Sequence, residues 1–300
     1  MHQSRHEELS DVLEDLFDDV TIENLESLSD SQVEDVLDEL ADRAPTTGYV
    51  VYDGPSKLDG SHIVAIVTLG SVNAKTGDMH QLYILPADED PLEALQGGNN
   101  RGVCGDCSLQ GTYDEVADHQ KDRVCYVNIG HAPMGIWRAW RRGRYPMFAA
   151  SIHREALIDH PIRLGAYGDP AALPLKLLRQ LAGWSSIWTG YTHQAFWQRK
   201  DRAEALSNLC MISCENLAQY NEARRRGWRS FVVLTPSQPI PDGCVECPYY
   251  THGVQCIDCN LCDGGNKTAK SIAVRAHAKT GSNLPIVQKA VDDAVASLVA

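Results

Sequence analysis

Ile162-Arg163-Leu164-Gly165-Ala166-Tyr167-Gly168-Asp169-Pro170 is the stretch that decides the fold, because a short strand pattern runs directly into a turn. A helical pattern follows, with leucines at positions 173, 177, 178 and 181 on one face. Strand-like and helical stretches then alternate through 186–191, 195–206, 209–213, 216–226 and 229–234. Repeated βα units with short connections predict a parallel sheet. We therefore expect an α/β protein built as a partial (βα) barrel.

N-terminal to this stretch, the pattern predicts a β-hairpin and an acidic arm. Strand-like runs at 63–69 and 81–86 are separated by a turn and form the predicted hairpin. Residues 1–45 contain fifteen Asp and Glu against two Arg, and their apolar residues recur at helical spacing. We expect an acidic helical arm over 1–45 and an α/β domain over 46–300, which includes a metal-binding Cys-rich loop at 244–265. The charge of the arm suits a solubilising or regulatory appendage, and the alternative is a docking segment for a protein partner or a nucleic-acid mimic that covers a basic surface.

The composition is that of a globular protein rather than a membrane or secreted one. Apolar residues make up 43% and charged residues 22% of the 300 residues. No apolar run has the length needed to cross a bilayer, and the first residues lack the apolar stretch of a secretory signal. We therefore expect a cytoplasmic protein without membrane contact, in which ten cysteines stay reduced and available to metals.

Seven of these cysteines fall into two groups with metal-ligand spacing. The first thiol group contains Cys104, Cys107 and Cys125. The second thiol group contains Cys247, Cys256, Cys259 and Cys262. The Cys-x2-Cys-x2-Cys run that ends the second group favours a [4Fe-4S] cluster. Zinc is the alternative, because two Cys-x2-Cys pairs also fit a tetrahedral site, and these pairs are Cys244, Cys247, Cys256 and Cys259.

Two polar residues follow strand patterns at positions where α/β proteins place ligand chemistry. Asp169 comes after the strand at 162–167, and His193 comes after the strand at 186–191. The carboxyl ends of parallel strands meet at one edge of a sheet. A carboxylate there can position a substrate, and an imidazole can transfer protons near neutral pH. Asp169 and His193 are therefore candidate catalytic residues, although His193 is equally compatible with a histidine hydrogen-bonded within its own loop.

The Cys104-x2-Cys107 pair, the Cys125-Tyr126 element and the Gly168-Asp169-Pro170 strand end resemble the outline of the radical S-adenosylmethionine superfamily. The resemblance implies a half-barrel in which the first thiol group holds a [4Fe-4S] cluster with one iron left open for S-adenosylmethionine. It also implies cofactor binding by Tyr126, Gly168, Asp169 and Pro170. The compact Cys-x3-Cys-x2-Cys of that superfamily is absent, and Asp169 stands where a glutamate is usual.

Residues 75–280 also resemble a group of phage and plasmid proteins labelled gene-product-88-like. The shared elements are Cys125-Tyr126, the Tyr167-Gly168-Asp169-Pro170 strand end, the segment at 188–193 and the closing cysteine group. This resemblance implies a phage or plasmid origin and brings no established activity.

Two segments interleave arginines with large aromatic rings, at 137–145 and 223–229. Arginine binds phosphate and aromatic rings stack on unpaired bases, so both segments are candidate nucleic-acid contacts. The alternative is structural: arginines near a helix C-terminus complement the helix dipole, and tryptophans three residues apart pack into a core.

Together these patterns favour an iron–sulfur enzyme similar to the radical S-adenosylmethionine enzymes. Its expected cofactors are one or two [4Fe-4S] clusters and S-adenosylmethionine, and its expected substrate is a nucleotide, a nucleic acid or another small polar molecule. The alternative is a zinc-stabilised nucleic-acid-binding protein of replication or its regulation, without catalysis.

Overall fold

The structure, a computed structural model, describes residues 46–275 apart from 115, 117, 118, 122 and 124, together with Ser29 and Val33. The predicted acidic arm at 1–45 therefore lies outside the described residues, except for Ser29 and Val33.

The main sheet has nine strands among the described residues: β1 (Gly48–Pro55), β2 (His62–Thr68), β3 (His80–Pro86), β6 (Ile162–Tyr167), β7 (Trp188–Thr192), β8 (Met211–Cys214), β9 (Ser230–Leu234), β10 (Cys244–Glu246) and β11 (Ser271–Arg275). Their spatial order is β1-β2-β3-β6-β7-β8-β9-β11-β10. The β1–β2 and β2–β3 pairs are antiparallel, and every pair from β3 to β10 is parallel. A separate antiparallel ribbon is formed by β4 (Thr112–Asp114) and β5 (His119–Lys121).

Helices connect the parallel strands. The described helices are α1 (Pro91–Gln96), α2 (Arg101–Cys104), α3 (Ala132–Arg141), α4 (Ala150–His153), α5 (Leu175–Trp184), α6 (Lys200–Ser207), α7 (Leu217–Arg225), α8 (Pro248–His252) and α9 (Cys256–Cys259). Short 3-10 turns lie at Ser108–Gln110, Arg154–Ala156 and Pro170–Ala172. Helices α5, α6 and α7 each join one parallel strand to the next, so β6, β7, β8 and β9 lie side by side in chain order.

The predicted α/β class and the predicted hairpin are confirmed, since β2 and β3 pair antiparallel over Ile63–Thr68 and Gln81–Pro86. The strands of the described residues do not close into a barrel, because β1 and β10 remain the two edges of the sheet. Because β3, β6, β7 and β8 are parallel neighbours, the residues that follow them all lie at strand ends on the same side of the sheet. We call this row of strand ends the C-terminal edge.

The two faces of the sheet are covered differently, and strand alternation decides which residue meets which layer. On β11, Ala273 shares an apolar cluster with Ala223 of α7, whereas Ile272 and Val274 share another with Cys247 and Cys262. On β6, the buried Leu164 packs in the same cluster as Leu178 and Leu181 of α5. One face therefore carries helices, and the other carries the cysteine-rich loop.

The cysteine-rich loop, residues 244–265, crosses its face of the sheet from β10 to the turn before β3. The Cys256 amide donates to the Lys75 carbonyl at 2.9 Å, and the Gln255 side chain donates to the Ala74 carbonyl at 2.9 Å. Midway, the Gly190 amide of β7 donates to the Cys262 carbonyl at 3.0 Å. The loop thus joins segments that lie far apart in the strand order.

Candidate metal centres

The first thiol group assembles at the C-terminal edge, in the loop that follows β3. Cys104 ends α2, Cys107 follows three residues later, and the Cys125 amide donates to the Leu109 carbonyl at 2.8 Å. Burial raises the pKa of the Cys104 thiol, and the neighbouring Cys125 raises it further. Burial likewise raises the pKa of Cys107, with added contributions from Cys104 and Cys125. The three thiols therefore lie close enough together to influence one another's pKa.

Gln194, just after β7, holds the cysteine turn against the sheet. Its side-chain amide donates to the Cys104 carbonyl at 3.2 Å, and its side-chain oxygen accepts from the Asp106 amide at 3.2 Å. Gly105 lies between these contacts with φ 58°, and a Cβ there would approach Gln194 Oε1 to 2.4 Å. A residue with a side chain at position 105 would therefore be strained at this φ and would have to displace the Gln194 amide that bonds the cysteine turn.

Asp169 is buried and bonded to its own chain. Its Oδ1 accepts from the Ala171 amide at 2.9 Å and from the Thr192 hydroxyl at 2.7 Å, while its Oδ2 accepts from the His193 amide at 2.8 Å. Burial raises the pKa of Asp169 to about 6, against the opposing effect of these hydrogen bonds. Asp169 thereby positions the end of β7 against the end of β6. A direct contact with a cofactor or substrate stays a prediction.

Gly168 and Pro170, which flank Asp169 in the predicted cofactor site, pack at the same C-terminal edge. Gly168 has φ 81°, and a Cβ there would approach the Ile84 Cβ of β3 to 2.7 Å. The Asp169 amide donates to the Val103 carbonyl of α2 at 2.8 Å, and Pro170 is buried. The Gly-Asp-Pro turn thus holds the helix that ends in Cys104. Tyr126 follows Cys125 and is 48% exposed.

His193 lies beside the first thiol group. One of its ring nitrogens, the Cys107 sulfur and a Glu215 carboxylate oxygen all lie within 4.8 Å of one another. Its Nδ1 lies 4.0 Å from Asp169 Oδ2, and burial lowers the pKa of His193 to about 4, so the ring is neutral. These side chains follow three different strands, and their sulfur, nitrogen and oxygen donors can bind a metal ion.

The second thiol group also assembles. The pKa of Cys262 is raised to about 12, chiefly by burial and with added contributions from Cys256, Cys247 and Cys259, against the opposing hydrogen bond from Tyr191. A pocket at this point is lined by all four cysteines together with Thr189, Tyr191 and Ile272 of the sheet. Lys75 and Arg163 lower the pKa of Cys256, against the larger effect of burial. Two cations therefore favour the thiolate form that a metal requires.

Cys244 lies on the other face of the sheet from the second thiol group. It is buried beside Tyr220 of α7 and adds to the raised pKa of Cys214, which burial chiefly brings to about 12. The set of four that assembles is therefore Cys247, Cys256, Cys259 and Cys262, rather than the set that includes Cys244.

The two arginine and tryptophan segments make contacts within the protein. The Arg141 guanidinium lies 5.6 Å from the rings of both Trp137 and Trp140, which pack against the main core. Arg226 lies 4.9 Å from the ring of Trp228, which is 8% exposed. These contacts match the structural alternative stated above. Nucleic-acid binding by either segment stays a prediction.

Glu215 and Gln194 were not among the predicted site residues, although both follow strands. The strand-end rule that predicts Asp169 and His193 applies equally to these two positions.

No protein-family model, curated protein or solved structure matches the chain. Within the described part of the chain, no helix combines the length and apolar character that membrane crossing requires.

Proposed function

We propose that the protein is an iron–sulfur enzyme, similar to radical S-adenosylmethionine enzymes, with its reactive centre at the C-terminal edge. The observation that carries this proposal is the proximity of Cys104, Cys107 and Cys125 to one another and to Asp169, His193 and Glu215, which follow β6, β7 and β8. Three thiolates leave one iron of a four-iron cluster without a cysteine. His193 and Glu215 would then lie beside that centre, because both are near Cys107.

The donor set fits such a cluster. Three soft sulfur donors near one another suit iron–sulfur ligation, and all three cysteines are only partly exposed to solvent. When bound, a [4Fe-4S] cluster supplies an electron to a molecule held at its open iron. The chain's own residues position that centre: Asp169 fixes the end of β7, and Gln194 fixes the turn between Cys104 and Cys107. Tyr126 and the Gly168–Pro170 turn are the proposed cofactor contacts.

A partial barrel is the geometry we propose for this edge. Parallel neighbours from β3 through β6, β7, β8 and β9 run in chain order, and the cysteine-rich loop joins β10 to the turn before β3. That connection supports a curved sheet with one covered inner face. A nucleotide, nucleic acid or other small polar substrate would then bind at its C-terminal edge.

The second thiol group is proposed to hold a second [4Fe-4S] cluster. Four cysteines from one loop can each ligate one iron. Zinc is the rival occupant, because a four-thiolate set also suits a structural zinc ion. With zinc in this site and no metal in the first, the protein would be the alternative already stated, a nucleic-acid-binding protein without catalysis. A phage or plasmid origin and a cytoplasmic location remain part of the proposal.

Anaerobic purification of the full chain tests the proposal. We expect a brown protein with broad absorption near roughly 400 nm that dithionite bleaches, and with iron and sulfide at two clusters per chain. Cys125→Ser should remove the first cluster and retain the second, and Cys259→Ser should do the reverse. A colourless wild-type protein with stoichiometric zinc, or iron content unchanged by Cys125→Ser, would overturn the proposal.

S-adenosylmethionine binding is tested separately on the reconstituted protein. Isothermal titration should detect binding to the wild type and lose it in Cys125→Ser, because the cofactor needs the open iron. The nucleic-acid alternative predicts instead that a labelled single-stranded oligonucleotide binds the zinc form, with affinity falling steeply as salt rises.

A further inference from the structure

We infer that His193 is the fourth protein ligand of the first metal centre when no substrate or cofactor is bound. The inference rests on the proposed function, because it assigns the iron that the three cysteines leave without a thiolate. It makes the first centre a Cys3His site, whereas the second centre is ligated by cysteine alone.

The position of His193 is fixed from both sides. Its amide donates to Asp169 Oδ2, and the next residue, Gln194, is bonded to the Cys104–Asp106 turn. The imidazole therefore stays between Asp169 and the first thiol group. Little rearrangement would be needed to bring it onto a metal bound by Cys107, because one of its ring nitrogens and the Cys107 sulfur lie within 4.8 Å of each other.

The Nε2 atom of His193 has no other use in the fold. It is buried and has no hydrogen-bond partner among the described residues. Leaving a buried polar atom unpaired costs about 1–3 kcal/mol, so proteins rarely retain one without a ligand or water. Metal coordination would use the lone pair on this nitrogen. It would also explain why a polar ring is held at this position.

The opposite ring nitrogen faces a carboxylate. Nδ1 lies 4.0 Å from Asp169 Oδ2, which is beyond hydrogen-bond distance. The carboxylate is therefore near the nitrogen other than the unpaired Nε2. Histidines that bind metals commonly donate their second N–H to a carboxylate, which fixes the tautomer and leaves the other nitrogen for the metal. Asp169 is therefore a positioning residue for His193 in this arrangement.

Glu215 is the competing ligand, and its hydrogen bonds argue against it. Burial raises the pKa of Glu215, and hydrogen bonds from the Ser108 hydroxyl and backbone amide oppose that rise. Its carboxylate is thus already paired within the protein, unlike His193 Nε2. We expect Glu215 to line the centre without binding the metal.

Pulsed electron paramagnetic resonance of the reduced, cluster-loaded full chain tests the inference. The wild type should show the strong nitrogen coupling of a directly bound imidazole, and this coupling should change to that of ¹⁵N when only histidine is ¹⁵N-labelled. His193→Gln should lose the coupling. Glu215→Gln should keep it, and so should His160→Gln, a matched control at an exposed histidine outside the centre.

His193→Cys supplies a second measurement if the glutamine variant does not fold. A thiolate in place of the imidazole should retain four irons in the first centre and lower its reduction potential, because histidine ligands raise cluster potentials. A cluster signal without bound-histidine coupling in the wild type would overturn the inference and leave the proposed function intact. Absence of iron from the wild-type protein would overturn both.

Discussion

The two thiol groups are built in different ways. The first draws Cys104, Cys107 and Cys125 from the segment between β3 and β6 and sets them beside residues that follow three other strands. The second comes from one loop of sixteen residues, Cys247–Cys262, and is surrounded by apolar and aromatic side chains. One group has mixed donors beside it, and the other has thiols alone.

Under the proposed function, this difference separates a reactive centre from a structural or electron-storing one. A mixed site assembled from the ends of β3, β6, β7 and β8 would leave a metal position that a substrate or cofactor can take from His193. A site with four cysteines satisfies its metal completely. Its loop also connects β10 to the turn before β3, so metal bound there would stabilise the whole domain.

The largest expected effect compares a cysteine variant in each group. Cys262→Ser should remove the second metal and lower the free energy of unfolding by on the order of 5 kcal/mol, because metal binding and folding of the loop are coupled. Cys125→Ser should remove the first metal and cost only about 2 kcal/mol, since the contacts of this group span β3 to β8, a shorter part of the sheet than the cysteine-rich loop spans. Anaerobic thermal unfolding with metal analysis measures both. Equal losses of stability would remove the distinction between the two groups.

Arg229→Met should be the next most damaging change, and it acts on the second group alone. Arg229 is 3% exposed, pairs with Asp263 at 2.9 Å, and donates to the carbonyls of Leu261 and Lys270. Removing one partner of a buried ion pair costs about 3–5 kcal/mol. Urea unfolding measures the loss, with the exposed Arg179→Met as control. Loss of metal from the first group in Arg229→Met would contradict the independence of the two sites.

Asp169→Asn should affect the first group in preference to the second. In the variant, an amide nitrogen that faces the His193 backbone N–H cannot accept the hydrogen bond that Asp169 Oδ2 accepts. This leaves a buried donor unpaired at a cost of about 2 kcal/mol. We expect reduced metal in the first centre and full metal in the second, measured by iron analysis of each purified variant. The exposed Asp201→Asn is the control, and unchanged iron in Asp169→Asn would show that β7 needs no such anchor.

A pH effect is expected at the turn that receives the cysteine-rich loop. His80 Nδ1 accepts from the Gly70 amide at 2.9 Å, and its Nε2 donates to the Ala156 carbonyl at 2.9 Å. Burial lowers the pKa of His80 below its ordinary value of about 6.5. The unfolded chain therefore binds more protons below that pH, so stability is full above about 6.5 and is lost as the pH falls.

Urea unfolding between about pH 5 and 7.5 measures this dependence. His80→Gln should flatten it, and His131→Gln, at an exposed histidine, should not. Stability that rises on acidification would contradict the assignment to a neutral, doubly bonded His80.

Lys75→Met should give the smallest effect. The Lys75 ammonium lies 4.5 Å from the centre of the Tyr250 ring, and it favours the thiolate form of Cys256. An exposed cation–π contact is worth about 0.5–1 kcal/mol. We expect that loss in urea unfolding, with metal retained and the reduction potential of the second centre lowered. A reduction potential that changes only at the first centre would contradict the position of Lys75 beside the second thiol group.

Part of the site was predictable because its residues follow strands. That rule predicts Asp169 and His193, and the structure places Asp169 Oδ2 4.0 Å from His193 Nδ1 at the C-terminal edge. The role of Asp169 as an internal anchor was not predictable, because it depends on the Ala171, Thr192 and His193 groups that surround it. Spacing alone allows two sets of four metal-binding cysteines, one with Cys244 and one with Cys262. Strand alternation on β10 excludes the first set, because it turns Cys244 toward the helices.

The sequence by itself determined the α/β class, the βα order and the two clusters of thiols, because each depends on local periodicity and spacing. Tertiary structure decided which thiols meet, which histidine nitrogen lacks a partner, and how the cysteine-rich loop joins distant strands. Those contacts link residues far apart in the chain, such as Gly190 with Cys262 and Lys75 with Cys256. Their formation depends on sheet order and on the face each strand residue occupies, which no local pattern specifies.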